Sequence, residues 1–153
     1  MGRQEPPVVA IETTIDDMNP QVYDWVMERL FKAGALEVTL QPVQAKKNRP
    51  AIILRCLAPQ KKRDAICDII LKETTTFGVR YYPVERKILE RRMEKQTTRW
   101  GVVRMKVGID KKGNVVKRVP EYDDVKRLAK KTGRSFYEIT NTSTIMATKR
   151  RSK

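Results

Sequence analysis

The spacing of apolar residues between Val8 and Val84 most constrains the fold, because it alternates between the periods of strands and of helices. Alternating or continuous apolar residues predict four strands, which cover residues 8–15, 36–41, 51–57 and 79–84. Helical spacing predicts two helices, over residues 20–33 and 60–75, with Asn19 as the cap of the first helix and Gly34 at its end. The order β-α-β-β-α-β predicts an α+β fold with a ferredoxin-like antiparallel sheet and two helices on one of its faces.

The second half of the chain is predicted to extend this sheet by a β-hairpin and C-terminal helices. Apolar residues alternate over 103–109, and a Lys-Lys-Gly-Asn turn follows. Residues 115–119 then form the second strand of the hairpin. Pro120 begins a helix that ends near Gly133, and Ser135 with Glu138 predicts the capping box of a last helix. Because such a hairpin is too small for a core of its own, we expect a single domain over residues 8–140. Residues 1–7 are expected to be flexible, and residues 141–153 to form a loose basic tail.

Composition restricts the surroundings and the partners of the protein. Lysine and arginine total 33 against 18 acids, so the net charge is +15, which attracts polyanions unless it only keeps the surface solvated. No apolar run approaches the roughly 18 residues that a membrane helix needs, and the start lacks a signal-peptide pattern, so we expect a cytoplasmic protein. Cys56 and Cys67 lie among apolar residues without a CxxC pair, which predicts buried structural thiols.

Four polar motifs go beyond what folding alone requires, and the chain contains no histidine to share in their chemistry. The motifs are IETTIDDMNP from Ile11, KKNRP from Lys46, ETTTFGVR from Glu73 and PEYDD from Pro120. Together they offer carboxylates, a basic loop and a run of hydroxyl groups, which suit a divalent metal ion and a phosphorylated ligand.

The acidic residues of these motifs are candidate metal ligands. Asp16 and Asp17 follow the first strand, and Glu12 projects from it, so hard oxygen donors for Mg²⁺ or Mn²⁺ come together there. Glu73, Glu121 and Asp123 complete the candidate set. The alternative is that acids near the start of a helix only stabilise it, by roughly 0.3–1 kcal/mol.

The basic and hydroxyl residues are candidate nucleotide ligands. Lysine supplies point charges, arginine can bind two phosphate oxygens, and a run of threonines offers hydroxyl groups beside Gly78. The candidates are Lys46, Lys47, Asn48, Arg49, Thr74, Thr75, Thr76 and Arg80. The alternatives are an exposed hairpin tip for the first four residues and an ordinary helix end for the threonines.

In their order and spacing, the four motifs resemble the C-terminal half of the LarC family, the nickel-insertion proteins of lactate racemase maturation. The resemblance covers the chain from Val8 to about Ile139. It implies an enzyme, a CTP-dependent nickel-inserting lyase or cyclometallase, that makes the nickel pincer cofactor from pyridinium-3,5-bisthiocarboxylic acid mononucleotide. It also implies Mn²⁺ or Mg²⁺ at the acidic residues, the triphosphate of CTP on the basic loop, and nickel as the inserted metal.

The resemblance extends to partners. We expect the N-terminal half, in the same protein or as a separately encoded partner, to supply much of the site for the pyridinium mononucleotide, and we expect a homo-oligomer. Two other functions stay open on the residues alone. One is a basic nucleic-acid-binding module on a ferredoxin-like sheet, but nucleic acid is not an expected partner, because the aromatic pattern of such modules is missing. The other is a non-catalytic, trimer-forming module that senses nucleotide.

Overall fold

A computed structural model describes the backbone of residues 6–149 and the side chains of residues 6–143. Within these residues the chain forms two compact units, and the first ends at Arg86 where the second begins at Lys87. The strands of the first unit are β1 (Val8–Ile15), β2 (Glu37–Gln44), β3 (Pro50–Pro59) and β4 (Arg80–Val84). Its helices are α1 (Val22–Ala33) and α2 (Arg63–Glu73), with short 3-10 turns at Lys46–Asn48 and Gln60–Lys62.

The sheet of the first unit has the strand order β2-β3-β1-β4, and every neighbouring pair is antiparallel. With the chain order β-α-β-β-α-β, this is the split βαβ arrangement, so the predicted α+β fold is confirmed. The two central strands are β3 and β1, and β1 lies between β3 and β4. Any residue of β1 therefore has a partner on each side over the paired part of the strand.

One face of this sheet packs against both helices. Val9 and Ile11 of β1 meet Leu30 of α1 and the side chains of Ile66 and Ile70 of α2 in a core where each is at most 2 % exposed. Fully burying a side chain of this size stabilises a fold by roughly 1.5–3 kcal/mol. The even-numbered residues of β1, among them Glu12, point to the other face, because successive strand residues alternate.

The ends of the helices follow the sequence signals with small shifts. Gly34 has φ of 106°, a left-handed conformation that ends α1 as predicted. The Asn19 side chain accepts the Gln21 N–H at 3.0 Å, although regular helix begins only at Val22, two residues later than predicted. The second predicted helix starts as a 3-10 turn at Gln60 and ends at Glu73, so the threonines after it lie outside the helix.

The second unit contains a three-stranded sheet rather than a hairpin. Its strands are β5 (Glu90–Thr98), β6 (Gly101–Ile109) and β7 (Val115–Pro120), in the order β5-β6-β7, and its helices are α3 (Tyr122–Thr132) and α4 (Phe136–Lys149). Strand β5 was not predicted, because its segment ERRMEKQTT has a single apolar residue and no alternation. The hairpin and both helices were predicted, and Ser135 Oγ accepts the Glu138 N–H at 3.1 Å.

The expectation of one domain over residues 8–140 rested on a wrong premise, since the second unit has its own core. That core is built by Val103, Met105, Val107, Ile109, Val125, Leu128 and Ile139. The premise failed because β5 and two helices, and not a hairpin alone, cover these residues.

The predicted ends also need correction. Pro7, placed in the flexible start, accepts the Gln60 N–H at 2.8 Å, and residues 141–149 of the predicted tail are helical. Residues 1–5 and 150–153, to which the same two predictions apply, lie outside the described residues. Along the part of the chain that the structure describes, every helix is too short or too polar to cross a membrane.

Candidate functional site

Three loops meet at one end of the first sheet, which we call the loop edge. They are the segment after β1 with Asp16 and Asp17, the basic loop of residues 46–49 between β2 and β3, and the threonine loop of residues 74–78 between α2 and β4. The antiparallel pairing brings them together, because Ile15 lies opposite Ile52 near the start of β3. Three of the four motifs found in the sequence therefore share one edge.

The basic loop is joined to the segment after β1 by an ion pair. Arg49 Nη1 donates to Asp16 Oδ2 at 3.2 Å, and the two side chains are 53 % and 26 % exposed. Both charges stay accessible to solvent, so the pair adds little stability, roughly 0.2–1 kcal/mol. The main effect of the pair is to fix the position of the Arg49 guanidinium group beside the Asp16 carboxylate at the surface.

The threonine loop contacts the same segment and closes on β1. Thr75 Oγ1 donates to Asp17 Oδ1 at 2.5 Å. Beneath it, the hydroxyl oxygens of Thr13 and Thr76 lie 2.7 Å apart, and each lies 2.9 Å from the carbonyl oxygen of Gly78. Only the two threonine hydroxyl protons are available for these three contacts. Either hydroxyl can therefore donate to the other or to the Gly78 carbonyl, and the hydrogen bonds can exchange while the oxygen atoms stay in place.

Sequence reasoning missed Thr13, which anchors the threonine loop although it belongs to the interior of β1. Thr13 is 3 % exposed and shares a face with Ile11 and Ile15, both of which are buried. A polar residue at a core-facing position of an alternating strand was the available signal, because buried hydroxyl groups require partners. The partners themselves, 63 and 65 residues further along the chain, could not be read from β1.

The basic loop presents its side chains to solvent. Lys46, Lys47, Asn48 and Arg49 are all exposed. Lys47 and Asn48 both have φ of 58°, a left-handed conformation uncommon for residues other than glycine. The turn is closed by the backbone, since the Ala45 N–H donates to the Arg49 carbonyl at 2.8 Å. The lysine charges are thus available to a ligand.

Thr74 has a structural contact in this structure. Its hydroxyl donates to the carbonyl of Ile70 at 2.7 Å, in the last turn of α2, and accepts the Thr76 N–H at 3.3 Å. These contacts are those of a helix end, the alternative that the sequence left open. Thr74 therefore shapes the loop, whereas the Thr75 hydroxyl donates to Asp17.

Glu12 and Arg80 lie on the other face of the sheet from Thr13. Arg80 Nε donates to Glu12 Oε1 at 2.7 Å, and Arg55 Nε donates to Glu12 Oε2 at 2.8 Å. The hydrogen bond from Arg80, followed by that from Arg55, holds the pKa of the Glu12 carboxyl below its ordinary value. Both carboxylate oxygens are thus occupied by guanidinium groups, and the strand register aligns these partners.

Glu73 is held by α1. Trp25 Nε1 donates to Glu73 Oε2 at 2.9 Å, and Arg29 Nη1 lies 3.1 Å from Glu73 Oε1. The Arg29 guanidinium also stacks over the Trp25 ring, 5.4 Å from its centroid. These contacts fix the end of α2 from which the threonine loop departs.

The two remaining candidate ligands belong to the second unit. Glu121 pairs with Lys106 at 3.1 Å, and Asp123 is an exposed residue of the first turn of α3. The next residue, the buried Asp124, accepts hydrogen bonds from Arg104 and Arg127. The PEYDD motif thus serves at least in part to start α3 and join it to β6.

The acid groups within the described residues do not gather into a cluster of three or more suited to hold a metal ion. This donor arrangement still fits Mg²⁺ or Mn²⁺ bound together with a nucleotide, because such ions use one or two carboxylates and complete their shell with phosphates and water. At the loop edge, Asp16 and Asp17 supply two adjacent carboxylates of the kind that such a site would need.

The cysteines offer no alternative metal site. Cys56 and Cys67 are buried free thiols, as predicted. Burial raises the pKa of Cys56 to about 12 and also raises that of Cys67, so both stay protonated at neutral pH. A protonated thiol is a poor metal ligand.

Comparison with known proteins identifies the family. The profile described as nickel insertion protein matches residues 2–140 of the chain. The chain belongs to the nickel insertion protein family. The LarC-like resemblance seen in the four motifs is therefore confirmed at the level of the family.

Two relatives and one solved structure illustrate this membership of the nickel insertion family. The pyridinium-3,5-bisthiocarboxylic acid mononucleotide nickel insertion proteins of Desulfitobacterium hafniense (strain DSM 10664 / DCB-2) and Clostridium acetobutylicum are 39% and 42% identical over 138 and 129 residues. These matches cover 90% and 84% of this chain but only 34% and 30% of the relatives, so the chain spans about a third of their length.

The solved structure is LarC2, described as the C-terminal domain of a cyclometallase involved in the synthesis of the NPN cofactor of lactate racemase. Its TM-score is 0.87 with 34% identity, and the match covers 93% of this chain and 97% of that one. The described fold is thus that of a C-terminal domain in this nickel insertion family.

Proposed function

We propose that this chain is the CTP- and divalent-metal-binding part of a nickel insertion protein, which metallates pyridinium-3,5-bisthiocarboxylic acid mononucleotide to make the nickel pincer cofactor. Family membership and the names of the relatives support the reaction. The observation that carries the nucleotide site is the loop edge, where the Arg49–Asp16 and Thr75–Asp17 contacts bring three motifs together.

The roles of the residues follow from their chemistry. Lys46, Lys47 and Arg49 hold the triphosphate, because exposed cations on a hairpin turn can follow a chain of phosphate oxygens. Asp16 and Asp17 hold Mn²⁺ or Mg²⁺, which neutralises part of the phosphate charge when it is bound. Thr75 orients Asp17 through its hydroxyl, and Thr76 holds the loop against β1.

Three candidates take other roles in this proposal because of their contacts. On the opposite face, the Glu12 carboxylate is engaged by both Arg80 and Arg55, so Glu12 and Arg80 are left out of the proposed site. Glu73 acts as the anchor of the threonine loop and needs its carboxylate for Trp25 and Arg29. Because the chain spans about a third of the length of its relatives, we expect the rest of the protein or a partner to supply the other part of the pincer site.

The first expected result is binding of CTP by the whole chain in the presence of Mn²⁺ or Mg²⁺, and weaker binding of ATP and GTP. Isothermal titration calorimetry with and without the divalent ion measures this. Specific binding should require the ion and survive 300 mM KCl better than simple phosphate attraction, which weakens steeply with salt. The proposal fails if CTP gives no heat in saturating Mn²⁺, both with this chain alone and after addition of the separate N-terminal half of a relative.

A second expected result concerns the basic loop. Lys47→Ala and Arg49→Ala should each weaken CTP binding by about 10- to 150-fold, since a hydrogen bond to a charged group contributes roughly 1.5–3 kcal/mol. Lys61→Ala is the matched control, because Lys61 is exposed in the turn at the other end of β3. If both loop variants bind CTP as tightly as the control does, the basic loop is only a solvated hairpin tip.

A further inference from the structure

We propose that the exposed face of the second sheet binds the phosphate backbone of nucleic acid, independently of base sequence and of the nucleotide site in the first unit. The first observation is the distribution of charge. Residues 87–153 hold 20 of the 33 lysines and arginines but only 7 of the 18 acids, which gives +13 of the total +15. The first unit, with the proposed nucleotide site, is nearly neutral by comparison.

The second observation is that the strand register sorts these charges by face. One face of β5, β6 and β7 carries the core residues Val103, Met105 and Val107, which pack with α3 and α4. The register places the following side chains on the opposite face: Arg91, Met93, Lys95, Val102, Arg104, Lys106, Lys117 and Val119. All eight are exposed. Five of them are cationic, and we call this surface the basic face.

The cations of the basic face stand beside one another. Lys95 lies directly opposite Arg104, and Arg91 and Lys117 flank Gly108 from the two sides. Like charges directly opposite on neighbouring strands destabilise a sheet unless an anion lies between them. Only Arg104 and Lys106 of this set appear among the ion pairs of the described residues, with Asp124 and Glu121. Three cations thus keep their charge for a partner.

The helix-side face of the same strands is different. There Arg92 and Arg118 both pair with Glu94, so each guanidinium group has an acidic partner and one of the two positive charges is offset. On this sheet, therefore, the cations without an acidic partner lie on the basic face, although α3 also carries exposed cations such as Lys130 and Lys131. This difference between the two faces of the sheet argues against a charge that serves solubility alone, because solubility does not require unpaired cations to be sorted onto one face.

A polynucleotide is the polyanion that this geometry fits. Arg91 and Lys95 stand four residues apart on β5, which corresponds to about 13–14 Å, and neighbouring strands add parallel rows at about 4.7–4.9 Å. A phosphodiester chain offers a matching regular row of single charges. The basic face carries no aromatic side chain, so bases have nothing to stack on, and binding is through phosphates alone. Met93, Val102 and Val119 instead contact sugars between the cations.

The test measures fluorescence anisotropy of a labelled 20-nucleotide single-stranded RNA with the whole chain, between 50 and 300 mM KCl. Each phosphate contact to a single strand contributes a slope of roughly −0.7 to log affinity against log salt. The double variant Lys95→Gln, Lys117→Gln should reduce the slope by about 1.4 and weaken binding several-fold at 100 mM KCl. Neither lysine appears in the ion pairs above, and Lys95→Gln removes the repulsion from Arg104, so the melting temperature should not fall.

The matched control is Lys130→Gln, Lys131→Gln, which makes the same change of charge at exposed residues of α3. It should keep the slope of the unaltered chain, and so should Asp16→Asn, whose effect belongs to the nucleotide site. The proposal is overturned if the RNA does not bind at 50 mM KCl, or if the control loses as much slope as the test variant. Equal or tighter binding of a 20-residue polyglutamate would also overturn it, and would indicate an acidic protein as partner.

Discussion

Asp16→Asn and Asp17→Asn are expected to leave the fold intact, and at least one of them to remove the divalent-dependent part of CTP affinity. Loss of an outer-shell partner of a bound metal typically costs 10- to 100-fold, so loss of a ligand itself should cost at least about 100-fold. Asparagine keeps the size of the side chain and one acceptor oxygen, so the Thr75 hydroxyl can still donate to residue 17. Stability should fall by less than about 1 kcal/mol, since the Arg49–Asp16 pair is exposed.

The measurement is calorimetry of CTP binding with Mn²⁺ and with EDTA, together with a thermal melt of each variant. Asp24→Asn is the matched control, because Asp24 is an exposed acid in the first turn of α1 and has the same effect on charge near the helix start. It should lower stability slightly and spare Mn²⁺-dependent binding. If both aspartate variants behave like this control, the metal site lies elsewhere and the aspartates only support the helix.

Asp124→Ala is expected to destabilise the second unit by about 3 kcal/mol at neutral pH. The Asp124 side chain accepts the backbone N–H of Arg104 at 2.9 Å, the Arg104 Nε at 2.8 Å and the Arg127 guanidinium at 3.5 Å. Hydrogen bonds between charged groups contribute roughly 1.5–3 kcal/mol each, and the half-exposed arginines recover part of this in water. Asp124→Asn, which can still accept the backbone N–H, should lose clearly less.

The same contact predicts a dependence on pH. The hydrogen bond from Arg104 lowers the pKa of Asp124 from 3.8 to about 2, so the stabilisation is present above pH 3.8 and is lost as the pH falls through about 2. Urea unfolding at pH 7, 4, 3 and 2 measures this. The stability difference between the unaltered chain and Asp124→Asn should shrink over that range. A difference that stays constant down to pH 2 would show that packing, and not charge, is responsible.

The elements of the first unit could be predicted because their signals are local. Val9, Ile11 and Ile15 alternate within eight residues of β1, and Gly34 marks the left-handed end of α1. Strand β5 could not be predicted from its own residues, because its buried positions are the polar residues Gln96 and Thr98 and so show no apolar alternation. Its place is decided by pairing with β6, a contact that no local pattern reports.

For the candidate site too, some features could be predicted from the sequence and others only from the structure. The sequence by itself identified the residue types, and the motifs that carry Asp16, Arg49 and Thr75 do lie at one edge. Only the tertiary structure decided that Glu12 and Arg80 belong to the opposite face, because a shift of one residue along a strand reverses the side to which a side chain points. Burial, register and the partners of each charge depend on contacts between residues far apart in the chain, and these form only when the sheet does.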